Sequence, residues 1–196
     1  MIFGLFARRY ADDTFALYRS IVTEARHPEF YLAYGVPDTV TGRFDMIVLM
    51  IAVVLHRLRA EPTAAAAGKP KRGDPPSPAV RGQELIDLFF SEMDRSLREM
   101  GVGDLSIPKR MKKLAAAWNG RFQVYDAALD DADAEELAAA IARNVLADVE
   151  DRSGASALAA HVLAATTRLA ALPIADVLAG RIDWPDPNAT SPRIRA

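Results

Sequence analysis

Met46 to Leu55 is an unbroken run of ten apolar residues, and it constrains the fold more than any other part of the chain. A surface helix needs only one apolar stripe, so a helix that is apolar on every side must be enclosed. Ten residues are too few to cross a bilayer, which takes roughly 20. No other span comes closer, and exposing such a helix to water costs about 25 cal/mol per Å². The remaining chain must supply the cover, and 196 residues suit one domain with a substantial core.

That cover reads as helical. Alanine occurs 36 times, and Leu, Glu, Asp and Arg recur at spacings of three and four, while alternating Val/Ile/Thr runs are absent. The expected class is all-α, a single domain of about six helices, crossed rather than up-and-down. Asp12 or Asp13 caps a first helix to about His27, with Phe15, Tyr18, Ile21, Val22 and Ala25 on one stripe and Pro28 ending it. Phe30 to Tyr34 forms a short turn, and Gly35-Val-Pro-Asp-Thr39 leads into the apolar helix, which runs to about Ala60. Residues Ala60 to Gly82 hold five of the twelve prolines and four consecutive alanines, the composition of a flexible linker. A helix follows from Gln83 to Met100, with Ile86, Phe89, Phe90, Met93, Leu97 and Met100 inward and Gly101 as its C-cap. Ser106 caps the next, whose inner stripe is Met111, Leu114, Trp118, Phe122, Tyr125 and Leu129. Ala-rich helices at about Ala134 to Val149 and Ser156 to Leu172, a short one at Ile174 to Ala179, and a tail of little order from Arg181 complete the chain. The organisation is thus an N-terminal helix (1–28), a helical core (29–150, with the linker at 60–82), C-terminal helices (151–180) and a tail (181–196).

Composition narrows the chemistry. With no cysteine, disulfides, thiolate nucleophiles, iron–sulfur sites and sulfur-ligated zinc are excluded. His27, His56 and His161 are isolated in sequence and read as ordinary surface or core residues. A net charge of −2 argues against a protein that coats nucleic acid. Neither DNA, a small-molecule substrate, a metal nor a cofactor is expected as a partner. The start of the chain does not read as a secretory signal, so the expected location is cytoplasmic, with peripheral attachment to the cytoplasmic face of the inner membrane as an option. Ile2, Phe3, Leu5 and Phe6 beside Arg8 and Arg9 can either touch a membrane interface or pack on the core.

Three features have a functional reading beside a structural one. The apolar helix is either the centre of a bundle or one wall of a groove for a hydrophobic client segment. Asp94 with Arg98, and Arg95 with Glu99, form i,i+4 pairs on a solvated face. Asp87, Asp94 and Asp104 show no spacing that favours metal or acid–base chemistry. Charge is segregated: five basic residues (Lys109, Arg110, Lys112, Lys113, Arg121) face Asp104 alone between positions 104 and 122, and nine acidic residues face Arg143 alone between 126 and 151. These can be partners in the fold or separate recognition surfaces, the basic one suited to RNA phosphates or anionic lipid.

The motifs Phe30-Tyr31, Gly35-Val-Pro-Asp-Thr39, Gly42-Arg-Phe-Asp45, Arg57-Leu-Arg59, Met93-Asp-Arg95, Leu97-Arg-Glu-Met-Gly101, Gly103-Asp-Leu105 with Pro108-Lys109, and Gly120-Arg121 occur in order over Phe30 to Val149. Together they resemble the ubiquinol-cytochrome c chaperone family, the complex III assembly factors of mitochondria and their alphaproteobacterial relatives. The resemblance implies an all-helical, non-enzymatic chaperone that binds newly synthesised cytochrome b and promotes assembly of ubiquinol-cytochrome c reductase, with the ribosome exit region and the inner-membrane surface as further contacts. On that reading the client meets an apolar wall of Phe44, Ile47 and Ile51 with a polar rim of Arg43, Asp45, Asp94, Arg98 and Glu99. Lys109, Arg110, Lys112, Lys113 and Arg121 then face the membrane or ribosome. Arg43 and Asp45 can equally form buried structural pairs. The alternative function is a ribosome, RNA or membrane-surface adaptor resting on the Lys109 to Lys113 face alone.

Overall fold

The Thr39 hydroxyl accepts the Gly42 amide at 3.1 Å and opens the apolar helix where the sequence places its start. The computed structural model describes residues 12–61 and 76–192, and every regular element among them is helical. The α-helices are α1 (Asp12–Ala25), α2 (Pro28–Leu32), α3 (Val40–Ala60), α4 (Pro78–Glu99), α5 (Ile107–Asp130), α6 (Ala134–Asn144), α7 (Gly154–Ala171) and α8 (Ile174–Leu178). Six of these eight have eleven residues or more, and a 3-10 turn at Pro187–Ala189 follows.

The helix α3 is the axis of the fold. Helices α1, α4, α5 and α7 all pack against it, and every residue from Phe44 to Leu55 is buried. Of the two readings of the apolar helix, the structure takes the enclosed one. Each fully buried aliphatic side chain there contributes about 1.5–3 kcal/mol of transfer free energy.

Helix α4 starts earlier than its apolar pattern suggests. Ser77 accepts the Val80 amide and Pro78 occupies the first turn, so a segment that reads as the end of a Pro-rich linker is a capped helix start. Arg81 and Gly82 are buried as a result. Residues 62–75, the rest of the linker reading, lie outside the described residues, as does the N-terminal Ile2 to Arg9 stretch.

The burial stripe of α1 is also rotated from the expected one. Phe15 is exposed, whereas Thr14, Leu17, Ile21, Glu24 and Ala25 are buried. Two of these are polar and carry distant partners: Thr14 bonds to Arg81 and Glu84, and Glu24 lies 2.9 Å from His161 Nε2. A stripe phased on apolar residues alone misses them.

The α4–α5 connection follows the expected C-cap. Gly101 adopts φ +77, its amide donates to the Arg98 carbonyl, and the Val102 amide donates to the Leu97 carbonyl, a Schellman closure. Ser106 stands at the N-cap of α5 but makes no side-chain cap bond. Gly154 is needed for a different reason: a β-carbon there would sit 1.9 Å from the Tyr34 carbonyl oxygen.

The tail is built into the fold, contrary to the reading of little order from Arg181. Trp184 Nε1 donates to Ser20 at 3.0 Å, the buried Tyr34 hydroxyl donates to the Pro187 carbonyl at 2.6 Å, and Ser191 donates to Glu29 at 2.6 Å. These bonds tie the segment to α1 and α2.

Candidate functional site

Phe44, on the first turns of α3, begins an aromatic layer across three helices. Its ring lies 5.6 Å from Phe89 of α4, and Phe89 lies 5.3 Å from Trp118 of α5. Phe90 and Phe122 extend the layer at 5.9 and 6.1 Å from Trp118. Ile47 and Ile51, one and two turns further along, are 3% and 0% exposed. The expected apolar wall is therefore core, enclosed by its neighbours among the described residues.

Asp45 and Arg121 are a structural pair. Asp45 is 3% exposed, and Arg121 Nη1 lies 2.5 Å from its Oδ1 while the guanidinium sits 5.8 Å from the Phe44 ring centre. Burial pushes the Asp45 carboxyl up to about 6, with Arg121 opposing the rise. Arg121 thus turns inward, away from the basic face to which its sequence position assigns it.

The rest of the expected rim is internally paired, with Arg43, Arg98 and Glu99 exposed and Asp94 half-buried. Arg43 Nε donates to Asp38 at 2.6 Å and holds that carboxyl below its usual range. Arg98 donates to Asp94 and Asp104, each at 2.7 Å, and Arg95 to Glu99 at 2.9 Å. Gln83 donates to Asp87 at 2.8 Å. The carboxylates of an alternative acid–base site are thus solvated partners of side chains on or just beyond α4.

Sequence reading missed a cleft of about 300 Å³ where α1, α2 and the start of α3 meet, lined by Arg26, Pro28, Tyr31, Leu32, Asp38 and Arg43. Arg43 is its one residue from the expected rim. Leu32 is 76% exposed at its edge, and Val40, two residues beyond Asp38, is 67% exposed. Leu32 follows Phe30 and Tyr31, and Val40 stands between Thr39 and Thr41, but sequence alone does not say which of these apolar residues a fold will leave uncovered.

The acidic and basic segments are not partners. Asp126 and Asp130 pair with His56 and Arg59 of α3, at 3.2 Å from His56 and 2.5 Å from Arg59 for the nearest atoms, and Asp133 caps α6. Lys109, Arg110, Lys112 and Lys113 are exposed, with no ion pair among the described residues. His56 and His161, isolated in sequence, both meet carboxylates in space.

No helix of the described residues is long and apolar enough to cross a membrane. No curated protein sequence matches the chain. The crystal structure of the Cbp3 homolog from Brucella abortus superposes with a TM-score of 0.75 at 39% sequence identity, over 90% of each chain. The family model described as ubiquinol-cytochrome C chaperone matches residues 32–184, which takes in Leu32 and Arg43 of the cleft, the aromatic layer and the start of the tail strap as far as Trp184. The chain belongs to the ubiquinol-cytochrome c chaperone family.

Proposed function

We propose that the chain is a non-enzymatic assembly chaperone that binds newly made cytochrome b and passes it into ubiquinol-cytochrome c reductase. It works in the cytoplasm, at the cytoplasmic face of the inner membrane. The observation that carries this reading is membership of the chaperone family with a 39% identical structural relative along nearly the whole chain.

The client's site on this reading is the cleft beside α2 and the start of α3. A nascent membrane segment offers apolar side chains and polar loop ends, and the cleft offers exposed Leu32 and Val40 beside Arg26 and Arg43. The Asp94, Arg98 and Glu99 network supplies further polar contacts on α4. Phe44, Ile47, Ile51 and Asp45 hold the core together rather than touch the client, since their side chains are enclosed.

The test is deletion of the gene followed by quantification of assembled complex III and of cytochrome b, with rescue by Leu32→Asp plus Arg43→Glu. The expected result is loss of complex III with other respiratory complexes intact, and no rescue by a folded double variant. A photo-cross-linker at position 32 is expected to capture cytochrome b. Normal complex III in the deletion strain overturns the reading.

A further inference from the structure

The α4–α5 hairpin projects beyond the helix that it covers. From the layer where Phe44, Phe89 and Trp118 meet, α4 continues for ten residues to Glu99, and α5 has begun eleven residues earlier, at Ile107. Helix α3 has only four residues on that side of the layer, so the tip overhangs its start by roughly 9 Å at 1.5 Å per residue. The tip is solvated: Gly101, residues 103–106 and residues 108–110 are exposed.

Two properties of the tip are unusual together. Leu105 is 99% exposed and Met100 52%, so aliphatic side chains stand at its extremity. Beside them, Lys109, Arg110, Lys112 and Lys113 are exposed with no acidic partner among the described residues. The nearby acids are engaged: Asp94 and Asp104 by Arg98, and Glu99 by Arg95. The positive end of the α5 macrodipole adds charge of the same sign, and Ser106 makes no side-chain cap bond there. At the other end of this 24-residue helix Asp126 and Asp130 pair with Arg59, and Asp131, Asp133, Glu135 and Glu136 beyond them have no ion pair among the described residues, so the two ends of the helix differ in sign.

We infer that this tip docks the protein on an anionic phospholipid surface, with Leu105 and Met100 entering the headgroup region and the four cations contacting lipid phosphates. The combination selects lipid over RNA. Single-stranded nucleic acid is held by aromatic side chains on which bases stack, and no aromatic residue occurs between Phe90 and Trp118. Fully exposed aliphatics gain nothing against phosphate but gain from entering a bilayer interface. The polarised charge sets the approach: the cationic end turns toward the surface and the acidic end away.

The surface is distinct from the client cleft and is testable without a client, so its failure and that of the chaperone reading are separable. The full chain is sedimented with vesicles of phosphatidylcholine alone and with about 30% phosphatidylglycerol. The expected result is at least about tenfold preference for the anionic vesicles, weakened by salt. Lys112→Glu with Lys113→Glu is expected to abolish the preference, and Leu105→Asp to lower binding several-fold. Because the chain has no cysteine, Leu105→Cys carries a single environment-sensitive dye, which is expected to shift to the blue on anionic vesicles, whereas a dye at Asp131→Cys does not. Equal binding to both vesicles, binding indifferent to the charge reversal, or a dye at 105 that stays in water overturns the inference. So does tighter binding to a structured RNA that Leu105→Asp leaves unchanged, which assigns the cations to RNA.

Discussion

Asp45 is the one acidic side chain in α3, and it enters the protein at the foot of the helix's apolar run. Its carboxyl rises from 3.8 to about 6 because burial outweighs Arg121. A raised acid pKa means that the native state holds a proton that the unfolded chain has lost, so stability falls as pH climbs from about 4 to about 6. Asp45→Asn removes that titration. Its melting temperature, measured against the parent chain, is expected to gain progressively over this window, by the equivalent of at most about 3 kcal/mol. A constant difference from pH 4 to 7 means that Asp45 is ionised throughout. The buried contact of His161 and Glu24 makes a second case. Removing His161 leaves a carboxylate 7% exposed beneath Phe30 and α7, so His161→Ala is expected to cost about 3 kcal/mol in urea unfolding. Adding Glu24→Leu is expected to recover much of that loss, and strict additivity of the two changes argues against a coupled pair.

Among the helices, burial and exposure separate support from contact. Ile51→Ala empties volume at the centre of α3 and is expected to cost about 2–5 kcal/mol. Leu32→Asp changes a side chain that is 76% exposed and is expected to cost under about 0.5 kcal/mol, while recovery of the client in a pull-down is lost. Urea unfolding of both variants beside a client pull-down checks the pair; loss of client by a stable Ile51→Ala protein means that α3 opens to bind. The helices themselves were readable in the sequence because each carries its own signal: Thr39 before α3, Gly101 after α4, and an all-round apolar run that only a central helix tolerates. What escaped was set by partners far along the chain. Arg81 reads as linker because its contact, Thr14, is 67 residues away, and Glu24 falls outside the apolar stripe of α1 because its partner, His161, is 137 residues away. The cleft at Leu32 escaped for another reason: its lining is local, between positions 26 and 43, but its shape depends on how α1, α2 and α3 meet. The charged residues of α4 and α5 were found by sequence, but their division into the inward Arg121 and the free Lys109 to Lys113 depends on which face meets Asp45.

For the molecule as a whole, the tail decides whether the helices form one cooperative body. Asp183 and Trp184 meet Arg168 of α7, Trp184 meets Ser20 of α1, and the Tyr34 hydroxyl that follows α2 donates to the Pro187 carbonyl and lies 2.8 Å from the Thr190 hydroxyl. Tyr34 is fully buried, so without these partners its hydroxyl either loses its hydrogen bonds or draws water into the core. A chain ending at Gly180 is therefore expected to lose at least about 3 kcal/mol, lowering its melting temperature by about 6–12 °C. Asp183→Ala, which removes only an exposed ion pair, is expected to change stability by less than about 0.5 kcal/mol. If the shortened chain melts within about 2 °C of the full one, the strap rests on a core that is complete without it. If it melts early and in two steps, α1 and α2 depend on the tail while α3, α5 and α7 hold together alone. The region that bears the proposed client cleft would then be the one whose order the C-terminal strap controls.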